Sequence, residues 1–405
     1  MISAKGGKKH RLFLILMLGA LNTITPLSID MYLPGFIQIA HDLHSTTTNI
    51  AFSVSSYFLG FSFGQILYGP LLDRFGRKQP LYVGLSFYII ATLGCIIPSS
   101  LEMLLVMRFL QALSGCVAAV AAMAMVRDFF SVDESAGIIS LMILILGVSP
   151  LLAPTLGGFI INAWSWHFVF VALAIIALLL LLTTIFFLPE GHQPDPSISL
   201  HYKPIIKGFL NILMEPRFYI FAFAGSFSFS GLFVYVAASP VVFMDGFHMN
   251  ANLYGGIFAL LSIGFIGGSQ LNHFLTRKFS NQKIFRVAVI IQVIVSSIFL
   301  AGVASGWFGL TATLVCLFIF LSCAGITYPN AASIALSPFT KNAGSASALL
   351  GFIQIGLGAL ISSGVGVLRF KGNLSMALTM TVASLIAVII LFAAKPKLQT
   401  QMGTT

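Results

Sequence analysis

The sequence predicts an all-α membrane protein of twelve transmembrane helices, and three observations carry this prediction. Of the 405 residues, 58% are hydrophobic and only 8% are charged, whereas soluble domains carry about 25% charged residues. Apolar stretches long enough to cross a bilayer recur along the chain, since about 20 apolar residues span the hydrocarbon core as a helix. One long polar segment near the middle separates six of these stretches from the other six.

The apolar stretches are placed by composition. In the first half of the chain they cover residues 12–33, 47–68, 80–98, 101–125, 136–160 and 164–188. In the second half they cover residues 217–241, 253–275, 284–304, 307–331, 344–368 and 374–394. The polar segment between them contains Pro194, Pro196 and Pro204. We therefore expect an N-terminal six-helix bundle at 1–190, a cytoplasmic linker at 191–216 and a C-terminal six-helix bundle at 217–405.

The basic residues predict the orientation, because cytoplasmic loops retain lysine and arginine. With the N-terminus inside, cytoplasmic segments hold eighteen basic residues and the opposite side holds two, while Arg108 lies within a span. Both termini are therefore expected in the cytoplasm, and the net charge of +10 needs no nucleic-acid partner. The two residues on the opposite side are Arg369 and Lys371. The eighteen are Lys5, Lys8, Lys9, Arg11, Arg74, Arg77, Lys78, Arg127, Lys203, Lys207, Arg217, Arg277, Lys278, Lys283, Arg286, Lys341, Lys395 and Lys397.

The cysteines give no sign of a disulfide framework or a metal site. All four, Cys95, Cys116, Cys316 and Cys323, lie inside apolar runs, so we expect no metal and no cofactor. The basic N-terminal segment and the apolar run behind it resemble a signal peptide. Because no small-residue cleavage site follows and many spans do, we expect an uncleaved first helix.

The strongest local motif reads GPLLDRFGRK, from Gly69 to Lys78, between the second and third spans. A tight cytoplasmic turn with one acid among three bases can form a latch, in which Asp73 caps or pairs with the other half of the protein. A simple positive-inside anchor would account for the bases but not for Asp73 or the glycines. We therefore expect a cytoplasmic gate here. Its residues are Gly69, Asp73, Arg74, Gly76, Arg77 and Lys78.

A weak internal repeat relates the two halves. Residues 63–77 align with residues 266–280 at an offset of 203, which places Gly64 opposite Gly267 and Arg74 opposite Arg277. Both segments lie at the end of the second span of their half. The two halves are therefore expected to share one fold.

The fifth span carries a face with little side-chain bulk. Its residues fall within about 100° of arc on a helix of 3.6 residues per turn, so another helix can approach closely and the prolines can kink the span. Ordinary helix packing alone can also account for such a face. The residues are Gly147, Pro150, Pro154, Gly157 and Gly158.

Two charged residues inside spans are the candidate site. Arg108 lies in the fourth span with Gln111 one turn later, and an arginine there should face a cavity or a partner unless it reaches the outer headgroups. Asp30 is the only acid well inside an apolar span, on a stripe with Asn22. If the protein moves a proton, Asp30 is the carboxylate expected to carry it. The alternative is an outer helix end exposed to water.

With these pieces in place, the chain resembles the Bcr/CflA drug-resistance branch of the major facilitator superfamily (MFS). The GPLLDRFGRK segment matches the MFS signature G-x-L-x-D-R-x-G-R-K at every defined position. The fifth span resembles the MFS antiporter motif, with Ala153 where that motif has glycine. Branch-specific matches are SIDMYLP at 28–34, GQILYGP at 64–70, Arg127-Asp128, PNAA at 329–332 and the 343–354 segment. The resemblance implies two six-helix bundles around a central cavity.

The resemblance also implies roles for individual residues. Asp30 would bind the proton and cationic substrate, Arg108 would be its electrostatic partner, and Asp128 would join the cytoplasmic gate. Two departures stand out: Asn22 replaces a second acid of some related antiporters, and His167 stands where an arginine is more usual, which the sequence does not account for. The candidate cavity residues are Asn22, Tyr32, Tyr57, Gln111, Tyr235, Asn330 and Gln354.

The expected function is proton-coupled export of small hydrophobic or cationic compounds, such as bicyclomycin, chloramphenicol or sulfonamides, across the bacterial inner membrane by alternating access. Its partners would be the small-molecule substrate, protons and the bilayer, with no nucleic acid, and we expect a monomer. One alternative is export of an endogenous metabolite, siderophore or amino acid. A membrane sensor or enzyme is more remote, because one acid and one arginine make no catalytic cluster.

Overall fold

The structure is a computed structural model that describes residues 8–191, 193–196, 202–339, 343–368 and 373–393. Within these ranges all regular secondary structure is helical, and twelve helices have 17 residues or more. Ten segments are long and apolar enough to cross a membrane, and the shorter apolar segment Val148–Ala163 adds to them. The all-α fold class predicted from the sequence is therefore confirmed. Basic residues 5, 341, 369, 371, 395 and 397, used above for orientation, lie outside the described ranges.

The described chain divides into two compact units. The first comprises residues up to 45 and 56–201, apart from the gaps given above. Within it, α1 contacts α5, α6 and α7, and α4 contacts α5 and α7. A 3-10 turn, Leu33–Gly35, joins α1 to α2. The helices are α1 (Lys8–Asp30), α2 (Phe36–Asp42), α3 (Thr47–Phe75), α4 (Lys78–Gly94), α5 (Leu101–Phe129), α6 (Val132–Ala163) and α7 (His167–Phe186).

The second unit holds residues 202 onward and also residues 46–55, the beginning of α3. In this unit α9 contacts α12, α13 and α14. In addition, α10 contacts α12, and α14 contacts α11. A π-helical turn, Val241–Gly246, follows α9. The helices are α8 (Tyr202–Leu213), α9 (Pro216–Pro240), α10 (Ala251–Leu275), α11 (Asn281–Ala304), α12 (Leu310–Leu336), α13 (Ala343–Val367) and α14 (Leu374–Ala393).

Polar residues next to the apolar runs explain several helix ends. The side-chain oxygens of Ser100, Asn250 and Ser280 accept the backbone N–H three residues later, at 3.2, 2.9 and 3.4 Å, at the starts of α5, α10 and α11. These N-caps satisfy backbone donors that have no partner inside the helix. Gly76 follows the end of α3 with φ of +81°, a left-handed conformation that glycine adopts without steric cost.

Two segments differ from the sequence-based expectation. The polar linker expected at 191–216 contains a helix, α8, because Ile205, Phe209 and Ile212 recur at helical spacing within it. The GPLLDRFGRK motif, expected as a tight turn, is helical from Gly69 to Phe75, so the turn consists only of residues 76–77. The Pro at position 70 is tolerated within α3.

Glycines allow the same close helix approach in both units. A Cβ on Gly60 would overlap the carbonyl oxygen of Phe109, which brings α3 against α5. In the second unit a Cβ on Gly268 would overlap the carbonyl oxygen of Ser322, which brings α10 against α12. Small residues at such contacts let membrane helices pack backbone to backbone.

These contacts shift the internal repeat by one residue. Gly64 packs on Cys116 of α5, and its counterpart in contact with α12 is Gly268, at an offset of 204 rather than 203. Gly267, the residue aligned with Gly64 by sequence, has no atom within 4 Å of where its Cβ would lie. The helix contacts therefore favour an offset of 204, whereas the sequence alignment at 203 followed the match of Arg74 with Arg277.

We expect Gly268→Ala to lower the free energy of unfolding by about 1–3 kcal/mol, because the new methyl group would meet backbone that cannot move without displacing α12. Gly267→Ala is the matched control, since its methyl group would enter open space. The four cysteines are buried and free, so a thiol-reactive dye on detergent-purified protein reports the melting temperature. Equal melting temperatures for the two variants would contradict this packing.

Candidate functional site

Asp30 lies at the C-terminal end of α1 and is 5% exposed. It is the one carboxylate among the buried residues of the described chain. This burial excludes the alternative of an outer helix end open to water. A Cβ on Gly157 of α6 would overlap the carbonyl oxygen of Met31, so α6 packs directly against the residue that follows Asp30.

The remaining small residues of the fifth span lie mostly on the buried side of α6. Pro154, Gly157 and Gly158 are buried, and Pro150 is half-buried. Gly147 belongs to the same helix, but its surroundings lie outside what the structure describes. Because these residues carry little bulk, α6 contacts α1 along this face.

Arg108 of α5 is completely buried in the first unit, in a cage of aromatic rings. Its guanidinium carbon lies 4.4 Å from the ring centroid of Tyr57, 4.7 Å from that of Tyr32 and 5.8 Å from that of Phe170. The negative faces of the rings attract the cation and partly replace the lost hydration. Complete burial excludes the alternative that Arg108 reaches the headgroups.

A hydrogen-bonded chain orients the guanidinium. Arg108 Nη1 donates to Gln111 Oε1 at 2.6 Å, and Gln111 Nε2 donates to Thr92 Oγ1 of α4 at 2.8 Å. Thr92 in turn donates to the carbonyl oxygen of Tyr88 at 2.6 Å. The Tyr88 hydroxyl lies 2.6 Å from Ser28 Oγ on α1, and since Ser28 donates to a carbonyl, Tyr88 is the donor of this bond. The chain links α5 to α4 and α1.

The resemblance implies that Arg108 is the electrostatic partner of Asp30, and among the described residues no ion pair joins the two. Neither of them takes part in any of the ion pairs found among the described residues. Arg108 instead directs Nη1 along its own helix, while its Nε and Nη2 have no hydrogen-bond partner. Three rings and Gln111 surround the guanidinium group.

The other candidate cavity residues are divided between the two units. Tyr32 and Tyr57 belong to the Arg108 cage, and Asn22 is half-buried on α1. In the second unit, Tyr235 of α9 stacks on Phe258 with ring centroids 5.3 Å apart. Asn330 Nδ2 of α12 donates to Asn272 Oδ1 at 2.6 Å, and the buried Nε2 of Gln354 on α13 has no hydrogen-bond partner.

The gate residues form a charged cluster inside the first unit. Arg77 is 8% exposed and donates from Nη1 to Asp73 Oδ1 at 2.7 Å and from Nε to Asp128 Oδ2 at 2.8 Å. Burial alone would lower the pKa of Arg77, but the bonds to Asp128 and Asp73 outweigh burial and raise its pKa. The guanidinium therefore stays charged across the physiological range and ties the α3–α4 turn to α5.

Asp73 pairs with a residue of the first unit, which corrects the expected latch to the other half. The sequence predicts that Asp73 caps or pairs with the other half, whereas the structure gives it an i,i+4 ion pair with Arg77. The reason is that α3 remains helical up to Phe75, which places Asp73 one turn before Arg77. Gly69 and Arg74 lie within the same helical stretch, and the Nζ of Lys78 donates to the Ile185 carbonyl at 3.4 Å.

Sequence reasoning missed Glu190 in this cluster. Its Oε1 accepts the backbone N–H of Arg77 at 2.7 Å and that of Lys78 at 3.3 Å, so a carboxylate from beyond α7 caps the start of α4. Negative charge at a helix N-terminus is stabilising. The signal in the sequence was an acid directly after the last apolar run of the first half.

The structure also accounts for the surroundings of His167. Its ring stacks on that of Trp166, with centroids 3.8 Å apart, and the indole Nε1 donates to Asp42 Oδ2 at 2.7 Å. His167 therefore covers Trp166, which joins the start of α7 to Asp42 at the end of α2. Among the residues that the structure describes, no group of three histidines, cysteines or acids is arranged to hold a metal ion.

Comparisons with known proteins agree with this architecture. The sequence profile described as Major Facilitator Superfamily matches residues 18–363. The chain is 30% identical over 390 residues to the Bicyclomycin resistance protein homolog of Haemophilus influenzae, covering 94% of this chain and 96% of that protein. It is 28% identical over 389 residues to the Multidrug resistance protein MdtL of Escherichia coli, covering 93% and 95%. A D-xylose-proton symporter crystal structure superposes with a TM-score of 0.71 at 15% identity, covering 93% and 97%, which concerns the fold alone.

We expect Arg77→Ala and Asp128→Ala each to destabilise the protein, because each leaves a charge of the cluster without its partner. The double variant should lose less than the sum of the two, by about 1.5–3 kcal/mol, as expected for a hydrogen bond between charged groups. Melting temperatures of the four proteins give this coupling. Arg277→Ala, an exposed arginine after α10, is the control and should change little. Strict additivity would contradict a paired cluster.

Proposed function

This chain belongs to the Major Facilitator Superfamily, in its Bcr/CflA branch, and from that premise we propose that it is a proton-coupled exporter. It is a multi-pass membrane transporter of small molecules and not an enzyme. The proposed cycle is antiport by alternating access, in which protons move inward as small hydrophobic or cationic compounds move outward. The observation that carries the proposal is a buried carboxylate, Asp30, which takes part in none of the ion pairs found in the described part of the chain.

Asp30 is the proposed carrier of the proton. A buried carboxylate with no paired charge is costly, so the binding of a proton or a cationic substrate relieves that cost. Because the two ligands compete for one negative charge, arrival of one favours release of the other. A carboxylate locked in an ion pair with Arg108 would not be available for this exchange. With one such group, the proposed cycle moves one proton.

Arg108 is proposed to support the exchange from its cage. Tyr32, one wall of the cage, lies two residues after Asp30, so the cage fixes the turn that follows the carboxylate. The buried positive charge also disfavours a second cation in the same region. Its role is therefore to position the turn and to set the local potential.

The membrane potential can drive such a cycle when the cargo is neutral, because one net charge then moves inward. Exchange of one proton for a monovalent cation moves no net charge and is driven by the pH gradient. Moving one charge through 100 mV supplies about 2.3 kcal/mol. This free energy corresponds to roughly 50-fold accumulation of substrate, because about 1.4 kcal/mol is a factor of ten. A pH gradient would add to this drive.

The proposed cargo follows from the aromatic residues of the candidate site and from the names of similar proteins. Three of the residues predicted for the cavity, Tyr32, Tyr57 and Tyr235, are aromatic, and aromatic side chains are typical of sites that bind hydrophobic ligands. Similar proteins include a bicyclomycin resistance protein homolog and a multidrug resistance protein. We therefore propose antibiotics and other hydrophobic or cationic drugs as substrates. An efflux panel that also contains amino acids and siderophores distinguishes drug export from export of a metabolite.

The proposed setting is the bacterial inner membrane, with both termini in the cytoplasm and a monomeric transport unit. The distribution of basic loop residues supports the orientation. On this assignment the Asp73–Arg77–Asp128 cluster lies on the cytoplasmic side, where it is proposed to act as the gate. Glu190 would hold the gate turn in place by capping α4.

We expect Asp30→Asn to abolish substrate accumulation driven by a pH gradient in inverted vesicles, because the amide cannot exchange a proton. Exchange of labelled for unlabelled neutral substrate should persist, which shows that the variant is folded. Asp42→Asn is the control, because the side chain of Asp42 is 44% exposed and it should retain coupling. Undiminished proton-driven accumulation by Asp30→Asn would falsify the assignment of Asp30.

We expect Arg108→Lys to reduce transport at least about tenfold, because lysine keeps the charge but lacks the planar face and fork that meet the rings and Gln111. The loss should appear in the maximal rate of vesicle transport at saturating substrate. Arg11→Lys is the matched control, since Arg11 also lies over a ring, that of Phe130, at 5.6 Å. Wild-type rates in Arg108→Lys would argue that only its charge matters.

A further inference from the structure

Helix α8 has three distinct faces. One face, Ile205, Phe209, Ile212 and Leu213, is turned toward the second unit, where Ile212 joins the core and Phe209 and Leu213 pack against it. This face holds α8 against α9 and α13. The packed face therefore fixes which side chains of α8 point outward.

A second face of α8 is apolar and exposed. Ile206, Leu210 and Met214 recur every fourth residue, so they form one ridge along the helix and its end. They are 50%, 53% and 77% exposed. A soluble loop would gain nothing from three large apolar side chains in a row, and such a ridge indicates a contact with something apolar.

Lysines border this ridge. Lys203 and Lys207 are one helical turn apart, both are exposed, and both lie beside the ridge on the side away from the packed face. Asn211 continues the polar side. Apolar residues flanked by lysines are the pattern of a helix that lies in a membrane interface, with its ridge among acyl chains and its ammonium groups among phosphates.

The position of α8 along the chain places it at a membrane surface. α8 ends at Leu213 and α9, a membrane-spanning helix, begins at Pro216. Only two residues separate them, so α8 lies where α9 enters the bilayer. The exposed ridge is therefore within reach of lipid.

We propose that α8 is an interfacial anchor that binds anionic lipid, with Ile206, Leu210 and Met214 inserted beside the acyl chains and Lys203 and Lys207 bound to headgroup phosphates. The occupant is the anionic bilayer surface, because charge complementarity selects it over a neutral one. This inference does not depend on the proposed cargo or on proton coupling.

Insertion is tested with spin labels on the full-length protein in vesicles of phosphatidylglycerol and phosphatidylcholine. The four native cysteines are buried, so Leu210→Cys and Asn211→Cys are labelled selectively. We expect the label at 210 to collide with oxygen several-fold more than with a water-soluble nickel chelate, and the label at 211 to show the reverse. Water exposure of both labels overturns the proposal. Shielding of the 210 label from both agents also overturns it, in favour of a second copy of the chain.

Headgroup recognition is tested by removing the lysines. In the Leu210→Cys background, Lys203→Gln with Lys207→Gln should lower the ratio of inserted to water-exposed label in phosphatidylglycerol vesicles by roughly fivefold per lysine. The wild-type lysines should give no comparable advantage in pure phosphatidylcholine. The control is Lys278→Gln with Lys283→Gln, two exposed lysines of which the first follows α10 and the second lies in the first turn of α11. Equal insertion in all variants and both lipids overturns the binding of anionic headgroups.

Discussion

The cation of Arg108, buried without a carboxylate, is the constraint around which the first unit is built. Taking a guanidinium out of water is costly, and three rings, one glutamine and the chain through Thr92 and Tyr88 supply the compensation. These groups come from the α1–α2 turn, α3, α4, α5 and α7, so one charge holds five segments in register. The turn after Asp30 is one of them.

Three charged side chains of the first unit are buried, and they differ in the groups that compensate their charge. Arg77 has two carboxylates, so its charge is fully compensated and it fastens the α3–α4 turn to α5. Arg108 is compensated by aromatic faces and a neutral amide. Asp30 is buried, and within the described chain it takes part in no ion pair. The proposed exchange depends on this feature, because a permanent cationic partner would compete with the proton and the substrate for the carboxylate.

Close packing between helices depends on glycine in both units. Gly60 and Gly64 bring α3 against α5, and Gly264 and Gly268 bring α10 against α12. Between membrane helices the hydrophobic effect contributes little, so contact distance and van der Waals packing decide the stability. The same glycine contacts recur 204 residues apart, which supports the internal repeat. Gly157 makes a similar close contact beside Asp30.

The sequence by itself determined the all-α class and the spans, and it placed Asp30 and Arg108 within spans, because hydropathy adds up locally along the chain. It left open whether the two side chains are buried, and the structure decided this. Only the tertiary structure decided that Arg108 faces rings rather than Asp30, that the repeat is offset by 204 and that Glu190 caps α4. These facts depend on how each helix is rotated and how closely its backbone approaches the next. A pattern of apolar and polar residues does not determine the rotation of a helix or the distance between two backbones. A shift of one residue in such a pattern corresponds to about 100° of helix rotation.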